Sequence, residues 1–252
     1  MKTDQIDHAL SKVPAITLGF WFIKILATTL GETGADLFTQ QYEMGYLAGI
    51  ALFTAPLIAL VIAQIAAKRF RPPLYWATIL ASTTAGTALA DFATRDLGIG
   101  YAGGSALLLV GVALCLLAWR FVTGTVSVAS VSEPRAEGFY WLTITFSQTL
   151  GTALGDWSAD DGGLGYLGGA LLFGGLLALL ALLYWRTHVS RVGLFWAAFI
   201  LTRPLGATVG DFLDKPLAQG GLNLGRDTAT LALIAAIALA LWLLPQKAGE
   251  AH

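Results

Sequence analysis

Four times along this chain a tryptophan is followed ten residues later by glycine and fifteen residues later by aspartate. The sets are Trp21, Gly31 and Asp36; Trp76, Gly86 and Asp91; Trp141, Gly151 and Asp156; and Trp196, Gly206 and Asp211. Self-similarity at this period means that one supersecondary unit is built several times over, and each unit must find its partner surface in its neighbours. Fourteen residues after each Trp stands another small residue, Ala35, Ala90, Gly155 or Gly210. Nine residues after the first three aspartates comes Gly45-Tyr46, Gly100-Tyr101 or Gly165-Tyr166. The fourth unit departs here, with Leu222-Asn223-Leu224-Gly225 and a small change of length.

Each unit holds two apolar stretches. A hydrocarbon core of roughly 30 Å takes about 20 helical residues to cross. Eight stretches reach that length, at 15–37, 45–67, 73–94, 99–120, 137–157, 164–185, 191–213 and 226–244. Only 12% of the residues are charged, where a soluble domain carries about 25%, and a large core alone does not account for the deficit. The expected fold is all-α: a polytopic membrane protein of eight transmembrane helices, arranged as four tandem two-helix repeats. The tryptophans are 55, 65 and 55 residues apart, so the chain also divides into halves. Residues 1–122 hold two repeats (14–67 and 73–120), 123–136 form a linker, and 137–252 hold the other two (137–185 and 191–244).

Positive charge sets the orientation. Ten of the fifteen bases, among them Lys12, Lys68, Arg69, Arg71 and Arg186, lie in the tails and in loops between repeats. Loops within repeats hold three, Arg95, Lys215 and Arg226, and Lys24 and Arg203 lie inside spans. Both termini are therefore expected in the cytoplasm. The opposite mouth gathers eleven acids against those three bases. The N-terminus has no short apolar core with a small-residue cleavage site, so its first apolar stretch is expected to stay as a span.

On this pattern of spaced Trp, Gly and Asp the chain resembles a family of bacterial membrane proteins built of four tandem repeats of unknown function, each with two spans and a characteristic tryptophan. The likeness covers residues 14 to 244. It implies the eight-span architecture and a place in the bacterial inner membrane, and it brings no activity with it.

Function is therefore read from the residues. At 100° per residue, the Trp, the positions three and seven later, the Gly, the small residue and the Asp share one arc of each odd-numbered helix. The odd helices are expected to form an inner ring facing one another, with the apolar even helices outside. Small residues four apart, such as Gly151 and Gly155, let helices pack closely in lipid. Lys24, Thr28, Gln148, Arg203 and Glu32 fall on the same inner face. A charge near the bilayer centre costs about 2.5–3.5 kcal/mol on insertion scales, so such residues need partners. Glu32 is expected to pair with Lys24 or Arg203. Pro204, next to Arg203, removes a helix hydrogen bond and is expected to kink or loosen the seventh span.

The inner set then holds five acids, Glu32, Asp36, Asp91, Asp156 and Asp211, against two bases. That surplus points to protonated carboxylates or a bound cation. The leading expectation is a transporter of a small hard cation such as Mn²⁺ or Mg²⁺, or of a proton-coupled solute. The aspartates and Glu32 would be ligands or proton carriers, with the four aspartates as candidate metal ligands. Trp21, Trp76, Trp141 and Trp196 would form an aromatic constriction or an interfacial belt. Oxygen ligands without thiols or span imidazoles favour a hard ion. Cys115 is the lone cysteine, and His8, His188 and His252 lie in tails or a loop. Two other readings stay open: transport of an organic or anionic solute recognised by Lys24 and Arg203, and a non-transporting scaffold or sensor subunit. No nucleophile–base motif marks an enzyme. The partners expected are the lipid bilayer and a small ion or solute; no cofactor and no nucleic acid are expected.

Overall fold

The computed structural model describes residues 11–249, so Lys2, His8 and His252 lie outside the described residues. The described chain is built of α1 (Leu18–Asp36), α2 (Tyr46–Ala66), α3 (Pro72–Asp91), α4 (Tyr101–Thr123), α5 (Pro134–Ala159), α6 (Gly165–Arg186), α7 (Arg191–Asp214) and α8 (Arg226–Leu243). Local chemistry sets the starts. The Thr17 hydroxyl accepts from the Phe20 N–H and caps α1, and Ser190 does the same for α7. Pro72 and Pro134 stand in the first turns of α3 and α5, where a missing N–H costs nothing. The linker read at 123–136 is therefore shorter than expected, because α5 takes its last residues.

The Gly-Tyr pairs have a backbone cause. Gly45 and Gly100 precede α2 and α4 at φ +75° and +74°, and Gly165 opens α6 at +65°. Only glycine adopts these values without strain. Gly225 stands before α8 at φ +76°, so the fourth repeat meets the same demand fourteen residues after its aspartate instead of nine. The added residues build a longer loop between α7 and α8.

Helices α1, α3, α5 and α7 pack side by side into a closed ring, α1 against α3, α3 against α5, α5 against α7 and α7 against α1. The outer helices do not lie chiefly on their own repeat partners. Instead α2 packs on α3, α4 on α5, α6 on α7, and α8 closes the circle on α1. Each repeat thus covers the next, and none is a separate unit. Five helices (α2, α4, α6, α7 and α8) are long and apolar enough to cross a membrane, the pattern of a multi-pass membrane protein. Their outward residues are bare hydrocarbon, as at Leu107, Leu171 and Leu231.

The repeated glycine is the contact that lets the ring close. A Cβ on Gly31 would stand 2.3 Å from the Thr83 side chain, on Gly86 2.8 Å from Gln148 Cβ, on Gly151 2.3 Å from Arg203 Cβ, and on Gly206 2.5 Å from Thr28 Cβ. In each case the neighbour is the residue seven after the Trp of the adjoining inner helix. Four equivalent contacts therefore run once round the ring. Gly155 and Gly210 repeat the theme one turn on, against Ala207 and Glu32.

At the tryptophan end the tails and linker join the bundle. Ser11 N–H donates to Gly249 O, Lys12 N–H to Val131 O, and Ala15 N–H to Lys247 O. Lys12 also pairs with Glu137 of α5 at 2.5 Å. The indole N–H groups of Trp76 and Trp196 donate to Gln246 and to the Val126 carbonyl.

Gly151→Ala is expected to force Arg203 and Pro204 outward and to lower stability by about 1–3 kcal/mol, the range for overpacking. Gly174→Ala, where nothing lies within 4 Å of the added carbon, is expected to be neutral. Thermal unfolding of the two variants in detergent checks this.

Candidate functional site

The centre of the ring is filled by side chains four residues apart, about 6 Å per layer along a helix. The layer at the tryptophan end is Phe20, Tyr75, Tyr140 and Phe195, followed by Lys24, Ile79, Ile144 and Phe199. Then come Thr28, Thr83, Gln148 and Arg203, then Glu32, Thr87, Thr152 and Ala207, and finally Asp36, Asp91, Asp156 and Asp211. All twenty residues are buried.

The aromatic closure differs from the one expected. The residue before each Trp fills the layer: Tyr75 and Tyr140 share a hydrogen bond of 2.6 Å, and Phe20 and Phe195 lie 6.4 Å apart. The tryptophans flank these rings. Trp76 packs against Phe20, Trp141 against Tyr75, Trp196 against Tyr140 and Trp21 against Phe195, with centroids 5.6 to 6.2 Å apart. Trp21 alone of the four is half-buried.

Arg203 is the polar node of the bundle. Its Nη2 donates to Glu32 of α1 at 2.9 Å and to the hydroxyls of Thr87 of α3 and Thr152 of α5. One guanidinium thus touches all three of the other inner helices. Of the two partners foreseen for Glu32, the structure selects Arg203. Lys24 instead donates to Thr202 Oγ1 at 3.3 Å and lies 4.1 Å over the Phe199 ring. Among the described residues Lys24 has no carboxylate partner, and neither amide atom of Gln148 makes a hydrogen bond. Helix α7 runs unbroken through Pro204, whose ring and carbonyl pack on Gly151 and Gly155. The Thr208 hydroxyl donates to the Pro204 carbonyl one turn back.

At the aspartate end the surplus of acid is smaller than expected, because further bases face it. The three bases of the within-repeat loops all turn back onto the inner acids. Arg95 lies 3.3 Å from Asp91 and 3.1 Å from Asp156. Lys215 lies 2.9 Å from Asp36 and 3.1 Å from Asp211. Arg226 joins Asp36 at 3.4 Å and Asp214 at 3.3 Å. Counting five acids against two bases left these three out, because sequence position put them in loops. A signal was available: Arg95 and Lys215 each follow an aspartate by four residues, one helical turn, which places base and acid together. Repeats one and three carry Gln40 and Asp160 at that position. The bridges therefore occur twice, not four times.

The four aspartates do not form one cluster. Asp91 and Asp156 are joined through Arg95, whose Nη1 also donates to the Tyr46 hydroxyl. On the other side Glu32, Asp36 and Asp211 offer carboxylate oxygens all within 4.8 Å of one another. Lys215 bonds two of them, Asp36 and Asp211. Burial opposes its charge, but Asp211 and Asp36 outweigh that and hold its pKa above the ordinary lysine value. Above this group opens a cavity of about 460 Å³ lined by Gln40, Arg95, Tyr166, Asp211, Lys215 and Arg226, among others. Tyr42 and Gln41 reach Asp227 across its rim. Chemically, the group can hold one small cation by oxygen atoms, or exchange a proton with water in the cavity.

Breaking one partner of a buried ion pair costs about 3–5 kcal/mol, since the other charge is left alone. Glu32→Ala and Arg203→Met are each expected to lose stability in that range, and the double variant less than their sum. A double-mutant cycle by unfolding in detergent measures the coupling.

The family described as a Repeat of Unknown Function (DUF347) matches residues 19–70, 74–125, 139–190 and 194–248, each match opening two residues before its tryptophan. No curated protein and no solved structure matches the chain. The four matches take in both helices of every repeat and leave out only the tails and short joints, so the chain belongs to this family of four tandem repeats of unknown function.

Proposed function

We propose that this protein is an eight-span transporter of the bacterial inner membrane, with both termini in the cytoplasm, moving a small hard cation such as Mn²⁺ or Mg²⁺ or a proton-coupled solute. The observation that carries this reading is the convergence of Glu32, Asp36 and Asp211 within 4.8 Å beneath the cavity. Hard cations bond oxygen at roughly 2.0–2.6 Å, so opposite ligands of one ion stand about 4–5 Å apart. Asp36 Oδ1 makes no hydrogen bond among the described residues, which leaves it a free ligand atom. The buried aromatic layers close the path toward the cytoplasm. Helices α1, α3 and α5 are too polar to qualify as spans by composition, but their polar faces are the buried ones. Wrapped by α2, α4, α6 and α8, they cross with their neighbours.

Two observations favour other readings. Lys24 and Gln148, with polar atoms facing the core and no acid beside them, favour an organic or anionic solute. The base on each of the four repeated aspartates favours a scaffold in which the charges only cement the bundle.

Topology is checked first. In a Cys115→Ser background, Leu164→Cys is expected to react with an impermeant maleimide on intact cells and Val189→Cys only after lysis. Transport is checked in liposomes: Asp36→Asn and Asp211→Asn are each expected to lower Mn²⁺ flux at least tenfold. Flux that survives those changes but is lost in Arg203→Gln supports the solute reading. Folded protein that moves nothing supports the scaffold.

A further inference from the structure

The two charge bridges at the aspartate end are related by the twofold repeat of the halves, yet they are chemically unequal. Arg95 is a planar fork held at three points, Nε on Asp91, Nη2 on Asp156 and Nη1 on the Tyr46 hydroxyl. Such a fork is pre-organised and gives up its partners reluctantly. Its counterpart Lys215 is a compact charge on a flexible four-carbon stem. Among the described residues its ammonium touches only Asp36 and Asp211, two of the three acids whose oxygens converge.

The backbone of Lys215 is fixed while its head has somewhere to go. Its N–H donates to Asp211 O, and its carbonyl accepts from Asn223 N–H. Gly221 packs so closely on that carbonyl that a Cβ there would stand 2.1 Å from the oxygen. Lys215 also lines the cavity above the acids, so rotation about its side-chain bonds carries the ammonium into that space without moving the helix. Arg226 shares the Asp36 Oδ2 atom with Lys215, at 3.4 Å, and also pairs with Asp214 and Gln40, so it stays in place when Lys215 leaves.

We propose that Lys215 is a tethered counter-cation: its ammonium sits on Asp36 and Asp211, two of the three converging acids, when no ion is bound, and an incoming divalent cation displaces it into the cavity. This rests on the cation-transport reading and adds how the site is held when unloaded. With Lys215 withdrawn Asp36 keeps Arg226 but Asp211 loses its base, and a buried charge left alone is costly. A resident ammonium removes that cost and makes binding an exchange of one cation for another. The ion therefore competes with a group of fixed local concentration, which keeps affinity low enough for release. Only the half with Lys and Glu32 is built for exchange; the half with Arg95 is locked.

The test is Mn²⁺ binding to the whole protein in lipid nanodiscs. Lys215→Gln is expected to bind Mn²⁺ at least tenfold more tightly than the natural protein. Lys215→Arg, which keeps the charge and bonds two carboxylates at once, is expected to bind it at least tenfold more weakly. Equal affinity in all three proteins overturns the role of Lys215 and leaves the cation site standing. Absence of Mn²⁺ binding in all three overturns the cation site, and the exchange with it. A second measurement needs no variant: acylation of Lys215 by an amine-reactive ester, followed by mass spectrometry of its peptide. Saturating Mn²⁺ is expected to speed that acylation at least threefold by driving the amine into the cavity. Unchanged or slower acylation under Mn²⁺ that binds overturns the displacement.

Discussion

The whole bundle depends on four close approaches between backbones, each made where a glycine meets the residue seven after the next tryptophan. Lipid supplies no hydrophobic force to push helices together, so contact must come from packing and polar bonds. Gly31, Gly86, Gly151 and Gly206 bring the inner helices near enough for both. The Thr83 hydroxyl then reaches the Ala27 carbonyl, and the Thr28 hydroxyl reaches that of Thr202, each across the helix joint. The outer helices follow from this ring. Each covers the inner helix of the next repeat, and α8 returns to α1, so the circle closes only when all four units are present.

Equal backbones with unequal side chains make the chemistry. The glycine contacts are fourfold, the aspartate bridges are twofold, and the Arg203 node occurs once. At the position seven after the Trp stand Thr28, Thr83, Gln148 and Arg203, and only the last carries charge. That single guanidinium bonds to α1, α3 and α5 together, which ties the ring at mid-height. Below it the core is apolar and aromatic, apart from Lys24. Above it every inner acid meets a base and the cavity opens. The polarity of the bundle therefore changes along its axis from a sealed end to a wet one.

Much of this was legible in the residues. The repeat, the inner and outer division of the helices, the inward arc holding Lys24, Gln148, Arg203 and Glu32, and the use of Gly151 and Gly206 for close packing all follow from spacing and helical period. The tryptophans had two readings, a constriction or an interfacial belt, and in the ring steps of four from Thr28 through Lys24 lead back to Phe20, not to Trp21. The count of bases was incomplete for a different reason. Arg95, Lys215 and Arg226 were assigned to loops, and nothing in a linear count says that a loop folds back over a helix end. The Lys12–Glu137 pair, 125 residues apart in the chain, was beyond reach for the same reason.

By itself the sequence determined the unit: two helices, a glycine that must turn with positive φ, a small face on the first helix and an apolar one on the second. These are local consequences of side-chain size, backbone freedom and helical period, and they hold before any partner is present. Only the tertiary structure decided which acid meets which base, that Glu32 takes Arg203 and not Lys24, and that Asp36 and Asp211 share an ammonium while Asp91 and Asp156 share a guanidinium. Those choices depend on distances between residues far apart in the chain. Electrostatic pairing falls steeply with separation and burial, so a few ångströms set by helix packing select among partners that the chain order leaves equal.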